Sequence, residues 1–117
     1  MYIYIICPVR NVTEEQTNAV VAYVLGLEAQ GNFVHFPSRD VNQDDPTGYN
    51  IVFDHLRAME KADEVHIFWD INSKGSPFDL GMAIALKKTL VLVKSFVPEV
   101  EGKSYLKVIM GIMADQY

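Results

Sequence analysis

The sequence predicts a single α/β domain built around a parallel β-sheet. Short apolar runs rich in β-branched and aromatic residues alternate along the chain with segments whose apolar residues recur at helical spacing. This alternation is typical of right-handed βαβ units, in which crossover helices join parallel strands. The length of 117 residues fits one domain, and a hydrophobic fraction of 50% with 21% charged residues suits a globular core. We therefore expect residues 1–117 to form one domain.

The first half of the chain is predicted to hold two strands joined by a helix. A continuous run of β-branched and aromatic residues, the pattern of a strand covered on both faces, occupies residues 2–7, and a second short strand is expected at residues 33–36. Between them, Thr13 and Gln16 fit a capping box that begins the helix. Gly31 can end this helix in a left-handed conformation.

A polar loop at residues 37–46 leads to the second half of the chain, where the alternation is repeated. The remaining predicted elements are a helix in which Val52, Leu56 and Met59 share one face, strands at residues 65–69 and 90–93, a third helix at residues 77–88 and a last helix at residues 104–116. Part of the last segment also fits a fifth strand. We expect the flavodoxin-like strand order 2-1-3-4, with helices on both faces of the sheet.

The predicted strand order indicates where a ligand would bind. Open parallel sheets bind ligands beyond the carboxyl ends of their strands, at the point where the strand order reverses. Three polar segments follow the first three strands and meet at this edge, namely residues 8–11, 37–45 and 70–79. The sequence therefore predicts a site for a small molecule at this edge of the sheet.

The start of the third helix can be interpreted in two ways. Ser76 fits an N-cap, and Asp79, three residues later, fits the second half of a capping box. A carboxylate in the first turn is also kept ionised by the positive end of the helix dipole, and here it would face the crevice as a nucleophile. Gly75 would allow a sharp turn and leave backbone amides exposed to an anion or a sugar hydroxyl.

Composition and charge exclude several classes of partner. The net charge is −5, and the 10 Lys and Arg residues form no basic stripe, so binding to nucleic acid or to an anionic membrane is not expected. The single cysteine cannot form an internal disulfide, and the apolar N-terminal run is too short to cross a bilayer. These features predict a cytoplasmic protein.

The sequence does not predict a metal site. Residues 40–51 begin like a calcium-binding EF-hand loop, but Asp45 stands in place of the glycine at the sixth position and Ile51 in place of the final glutamate. The three histidines show no spacing typical of metal ligands. We therefore expect neither a metal nor another cofactor.

Two adjoining stretches of the sequence resemble the nucleoside 2-deoxyribosyltransferase family. Residues 62–70, ADEVHIFWD, are followed by residues 73–83, SKGSPFDLGMA. They are similar to the family's pattern of an aspartate after the third strand, a Gly-Ser/Thr turn and an acid-hydrophobic-Gly motif that opens the next helix. The opening strand at residues 3–5 and the proline-containing loop after it also match. The resemblance implies one nucleoside 2-deoxyribosyltransferase-like domain over residues 1–117.

The resemblance also implies roles for individual residues. Asp79 corresponds to the nucleophile, which attacks the anomeric carbon and holds a covalent deoxyribosyl intermediate, and Tyr4 corresponds to the tyrosine that contacts it. Asp70 corresponds to the aspartate that hydrogen-bonds the leaving base. Gly75 and Ser76 correspond to residues that hold the 5′ side of the sugar or its phosphate.

Further substrate-binding residues are expected on the loops at the crevice. Ser73 belongs to the same motif as the residues above. Arg10 and Arg39 lie on the loops after the first two strands, where a guanidinium can pair bidentately with phosphate and so select a nucleotide over a nucleoside. They also fit the ordinary interpretation of exposed arginines as solvated surface. Asp40 would hold ribose hydroxyls or would simply pair with Arg39.

Two departures from the family pattern concern the site. The usual nucleophile is a glutamate, and Asp79 is shorter by one carbon–carbon bond of about 1.5 Å. A misplacement near 1 Å can cost about a hundredfold in rate. In addition, the loop at residues 8–11 lacks the aromatic cluster that family members stack on the base.

The sequence leaves two functions open. The first is an enzyme, a nucleoside 2-deoxyribosyltransferase or an N-glycosidase, that cleaves or transfers the N-glycosidic bond of a (deoxy)nucleoside or a nucleoside 5′-monophosphate. The alternative is a non-catalytic module that binds or senses a nucleotide in the same pocket.

The oligomeric state can also be predicted. The family builds its sites partly from a neighbouring subunit, and residues 105–113 are more apolar than a lone surface helix needs. We therefore also expect a homodimer or a larger homo-oligomer.

Overall fold

Strands and helices alternate in the computed structural model, which describes residues 1–98 and 100–117. In chain order the elements are β1 (Tyr2–Ile6), α1 (Glu14–Ala29), β2 (Phe33–His35), α2 (Pro37–Asp40), α3 (Tyr49–Lys61), β3 (Glu64–Trp69), α4 (Gly75–Ala85), β4 (Thr89–Ser95) and α5 (Tyr105–Asp115). The strands form one sheet in the order β2-β1-β3-β4, and all neighbouring pairs are parallel. The predicted strand order is confirmed. The segment that also fitted a fifth strand is the helix α5.

The sheet separates two apolar clusters because successive side chains of a strand point to opposite faces. On β1, Tyr4 and Ile6 pack in the cluster that contains residues of α3, α4 and α5. Ile3 and Ile5 pack instead in the cluster that contains residues of α1. Helices therefore cover both faces of the sheet, as predicted.

The capping box predicted for α1 is present. The backbone N–H of Gln16 donates to Thr13 Oγ1 at 3.0 Å, and the backbone N–H of Thr13 donates to Gln16 Oε1 at 3.1 Å. Gly31 follows the helix with a φ of 91°, the left-handed conformation expected of a glycine at this position. Both ends of α1 are thus fixed by local sequence signals.

The region predicted as a polar loop at residues 37–46 begins with a single helical turn, α2. Pro37 occupies the first helical position, where its fixed φ favours a helix and its missing N–H costs nothing. Asp40 Oδ2 accepts a hydrogen bond of 2.8 Å from the backbone N–H of Phe36, just before this turn. The position of Pro37 and this hydrogen bond explain why the loop prediction is wrong over four residues.

The start of α4 also differs from the prediction. The helix begins at Gly75 rather than at Pro77, and Ser76 is its second residue, so the predicted N-cap role of Ser76 is wrong. Gly75 is the first residue of the helix and does not adopt a positive φ. The expected capping box is absent as well, because the Asp79 carboxylate accepts a hydrogen bond from the sheet instead of from the first turn of α4.

The C-terminal end of α5 covers the open edge of β4. The side-chain amide of Gln116 donates to the carbonyl of Leu90 at 3.0 Å and accepts from its N–H at 3.4 Å. The backbone N–H of Leu92 donates to Met113 Sδ at 3.2 Å. Backbone groups that a neighbouring strand would otherwise bond are therefore occupied by the side chains of Met113 on α5 and of Gln116, its C-cap.

The helices are short compared with the thickness of a bilayer. The helix α1 has 16 residues, where a membrane span needs about 20 apolar residues. Among the residues that the structure describes, none of the helices is long and apolar enough to cross a membrane.

Candidate active site

The centre of the candidate site is a buried contact between Tyr4 and Asp79. The Tyr4 hydroxyl donates to Asp79 Oδ2 at 2.8 Å, although the two residues are 75 positions apart. Tyr4 is 0% exposed and Asp79 is 8% exposed. Tyr4 lies on β1 and Asp79 lies near the start of α4, so the contact joins the sheet to the helix that covers it.

The direction of this hydrogen bond follows from electrostatics. Burial raises the pKa of Tyr4, and the neighbouring Asp79 carboxylate raises it further. The phenol therefore keeps its proton at neutral pH. An ionised carboxylate can only accept hydrogen bonds, so Tyr4 is the donor and Asp79 the acceptor.

A third residue, His55, contacts the same carboxylate. Its Nδ1 lies 3.1 Å from both Oδ1 and Oδ2 of Asp79. His55 was not among the residues that the sequence predicted for the site. A signal for it was present, because His55 lies three residues after Val52 and four before Met59 and so shares the apolar face of α3.

A second histidine, His35, packs beside Tyr4 and His55, the two residues that contact the carboxylate. His35 on β2 is paired in register with Tyr4, and the two rings stack with their centroids 5.1 Å apart. The His55 ring lies edge-on to both, with centroids 6.1 Å from Tyr4 and 6.4 Å from His35. We refer to Tyr4, His35, His55 and Asp79 as the Asp79 cluster.

The two histidines of the Asp79 cluster are incompletely hydrogen-bonded. Nε2 of His35 and Nε2 of His55 are buried without a partner among the described residues. Burial lowers the pKa of His35, which favours its neutral form. Such unpaired buried groups cost stability, which indicates that packing alone did not select them.

The turn between β3 and α4 brings together several of the residues predicted to bind substrate. Ser76 Oγ donates to Ser73 Oγ at 2.9 Å, and Gly75 lies between them in the chain. Asp70 Oδ1 accepts from the backbone N–H of Asn72 at 2.9 Å, which shapes the first part of the turn. This turn and Asp79 belong to one continuous segment at the carboxyl end of β3.

The two arginines predicted for phosphate have different environments. The Arg39 guanidinium donates to both carboxylate oxygens of Glu28, at 2.9 and 3.2 Å, and its Nε donates to Asp40 at 2.8 Å. Asp40 is thus paired with Arg39, which is one of the two roles predicted for it. Arg10, on the loop after β1, is exposed.

Cys7, the residue after β1, is a buried free cysteine. Burial, with a smaller contribution from the Asp79 charge, raises the pKa of its thiol to about 12. The thiolate is the reactive form, and almost none of it is present at neutral pH.

Among the described residues there is no group of three or more His, Cys, Asp or Glu side chains that could hold a metal ion.

Comparison with known proteins identifies the fold. The sequence matches no protein-family model and no curated protein. A CMP N-glycosidase from Clostridium botulinum has a TM-score of 0.67 at 16% identity, over 96% of this chain and 82% of that chain. A 2-deoxyribosyltransferase from Bacillus psychrosaccharolyticus also has a TM-score of 0.67, at 20% identity, over 99% of this chain and 96% of that chain. The chain has the fold of both enzymes, which confirms the fold implied by the resemblance.

The buried hydrogen bond between Tyr4 and Asp79 predicts a measurable effect on stability. We expect Tyr4→Phe to lower the free energy of unfolding by about 1–3 kcal/mol, because a buried carboxylate loses one of its donors. Urea denaturation at pH 7 would measure this change. The control is Tyr2→Phe, on the same strand but away from Asp79, for which we expect a change within about 0.5 kcal/mol. Equal changes in the two variants would contradict a specific role for the Tyr4 hydroxyl.

Proposed function

We propose that this chain belongs to the nucleoside 2-deoxyribosyltransferase-like family and cleaves or transfers the N-glycosidic bond of a (deoxy)nucleoside or a nucleoside 5′-monophosphate. Asp79 is the nucleophile in this proposal, and Tyr4 orients it. The observation that carries the proposal is the buried Asp79 carboxylate, which accepts a hydrogen bond of 2.8 Å from Tyr4.

The burial of this carboxylate is difficult to explain by structure alone. Removing a charged group from water is costly unless other groups compensate for it. Here Tyr4 and His55, on two different elements, both contact Asp79. Two contacts hold the carboxylate in one orientation, which is what a nucleophile needs for an in-line approach to a carbon atom. The shared fold with a CMP N-glycosidase and a 2-deoxyribosyltransferase supports the same chemistry.

The proposed reaction has two steps. A carboxylate oxygen of Asp79 forms a bond to C1′ of the sugar, while the C1′–N bond breaks and its electron pair leaves with the base. Asp70 holds the departing base, which takes up one proton from water. Water or a second base then attacks C1′ and loses one proton. The C1′–O bond breaks at the same time, and its electron pair returns to the Asp79 carboxylate.

The substrate is proposed to lie along the turn before α4. Gly75 and Ser76 begin an α-helix of 11 residues, and the N-terminal end of a helix favours a phosphate or another anion. Ser73 adds a hydroxyl to this end, next to Ser76. Arg10 remains the arginine available for a 5′-phosphate, because the donors of Arg39 are used within the chain.

One observation favours the alternative, a non-catalytic module that binds or senses a nucleotide. The Asp79 side chain is one bond shorter than the usual glutamate, and both of its oxygens are already in contact with His55. A carboxylate held back in this way would leave the pocket intact without reaching C1′. The two functions differ in whether a covalent intermediate forms on Asp79.

We expect Asp79→Asn to abolish turnover while the protein stays folded, because an amide cannot form the ester intermediate. Base release from nucleosides and 5′-monophosphates, followed by chromatography, would measure turnover. Incubation of the wild-type protein with a 2-fluoro-2-deoxy nucleoside should add one sugar mass to the peptide that contains Asp79. Asp79→Glu keeps a carboxylate at the family's usual reach, and we expect it to retain turnover.

The control for these variants is Asp54→Asn, which changes a partly exposed carboxylate on α3 that pairs with Arg57. It should turn over at the wild-type rate. Measurable nucleotide binding without turnover or labelling, in both the wild-type protein and Asp79→Glu, would refute the enzyme and support the sensor.

The role proposed for Arg10 predicts a difference between two ligands. We expect Arg10→Ala to weaken binding of a nucleoside 5′-monophosphate by about 1.5–3 kcal/mol, the range for hydrogen bonds to charged groups. Binding of the parent nucleoside should barely change. Titration calorimetry in the Asp79→Asn background would measure both affinities without turnover, with Arg57→Ala as an exposed control. Equal losses for the two ligands would mean that Arg10 supports the loop instead.

We also propose that the chain forms a homodimer or a larger homo-oligomer through α5. A groove of about 840 Å³ lies between the carboxyl end of β3 and α5. Its lining includes Ile71, Val100, Tyr105 and Val108, each about half exposed. Adjacent apolar side chains in contact with water mark interaction surfaces, and a second copy would bury them.

We expect the wild-type protein to be a dimer or larger in light scattering at micromolar concentration. Val108→Asp should shift it toward the monomer, because a charge in an apolar interface loses its water without gaining a partner. Leu25→Asp, an exposed apolar position on α1 at the opposite face of the sheet, should leave the assembly unchanged. A wild-type monomer would refute the proposed assembly.

A further inference from the structure

We propose that His55 is a positioning residue for Asp79. The Nδ1–H of His55 fixes the orientation of the Asp79 carboxylate. This inference depends on the proposed function, since it takes Asp79 as the nucleophile. The resemblance implies partners for Asp79 on β1 and along the α4 segment, and it assigns no role to a residue of α3.

The distances carry the inference. Nδ1 of His55 lies 3.1 Å from each oxygen of Asp79, so its hydrogen is shared between them, whereas Tyr4 donates to Oδ2 alone at 2.8 Å. The torsion that rotates a carboxylate has a broad energy profile, so a single donor leaves the group free to swing. A second donor from another element removes that freedom.

The tautomer of His55 follows from its partner. An ionised carboxylate has no proton to donate, so Nδ1 must carry the hydrogen in the contact with Asp79. The ring is held in place by aromatic neighbours, because it lies edge-on to both Tyr4 and His35. The orientation of the donor is therefore set before a substrate binds.

A comparison with His66 separates this role from ordinary packing. His66 is also buried, but both of its ring nitrogens have partners, Nδ1 with the Tyr23 hydroxyl at 2.6 Å and Nε2 with Glu64 at 2.9 Å. His55 has a partner at Nδ1 only, and its Nε2 is buried without one. An apolar side chain would fill position 55 without that cost, so the contact of Nδ1 with Asp79 is what an imidazole adds here.

The short side chain of Asp79 explains why its carboxylate needs the contact with His55. Asp79 cannot move its carboxylate far from the backbone of α4, because it has one methylene fewer than a glutamate. Correct alignment then depends on donors that come to the carboxylate from other elements. Tyr4 does so from β1 and His55 does so from α3.

The test compares three substitutions of His55. The amide nitrogen of asparagine occupies the same place along the side chain as Nδ1, the amide nitrogen of glutamine lies one bond further out, and leucine has no donor. We expect His55→Leu and His55→Gln to lower kcat by about ten- to a hundredfold, with KM within about threefold, because the misalignment affects the attack on C1′. His55→Asn should restore kcat to at least about tenfold above the leucine variant.

The rate of labelling by a 2-fluoro-2-deoxy nucleoside should follow the same order in the three variants. The control is His66→Leu, which removes a buried, hydrogen-bonded histidine on the opposite face and should lower the melting temperature without changing kcat. Circular dichroism would verify that each variant is folded, and the glutamine variant serves if the leucine variant is not.

Each outcome decides the inference. A wild-type kcat in the folded leucine or glutamine variant would overturn the role of His55 while leaving the proposed function intact. An asparagine variant as impaired as the leucine variant would also overturn it, because a donor at the place of Nδ1 would then not be what Asp79 needs from position 55. A wild-type protein with neither turnover nor labelling would refute the proposed function, and the positioning role with it.

Discussion

The burial of one carboxylate, that of Asp79, is the constraint on which the arrangement of the site depends. A charge removed from water needs donors, and the local helix does not supply them here, because the capping contact expected from Ser76 is not made. The donors come from Tyr4 on β1 and His55 on α3. The site therefore exists only when α3 and α4 pack side by side over β1, and the strand order that places β1 between β2 and β3 makes this packing possible.

The sequence was sufficient to predict the sheet because the signals for its strands are local. Runs of apolar residues mark each strand, and Thr13 and Gly31 mark the ends of α1 within a few positions of where the helix needs them. The start of α4 was predicted wrongly because Asp79 has two compatible sets of partners. Its neighbours in the sequence favour a helix cap. The structure instead places its carboxylate against His55 and Tyr4, which are 24 and 75 positions away in the chain.

The groove along α5 and the candidate site are adjacent through β3. Trp69 ends this strand and lines the groove, and its ring lies 5.8 Å from that of Tyr105. The next residue, Asp70, is the one proposed to hold the departing base. A second copy seated in the groove would therefore lie beside the base rather than beside the sugar, and the assembly and the choice of base would be linked. The residues of the Asp79 cluster, in contrast, lie on β1, β2, α3 and α4 of a single chain.

The covered edge of β4 has a consequence for behaviour in solution. An open strand edge can pair with a strand of another molecule, which is the first step toward aggregation. At one side of this sheet Gln116 and Met113 occupy the backbone groups of Leu90 and Leu92, and at the other side β2 has only 3 residues. Neither edge offers a long template for a foreign strand. Copies of this chain can therefore meet at high concentration through side chains, as folded units, without extending one another's sheets.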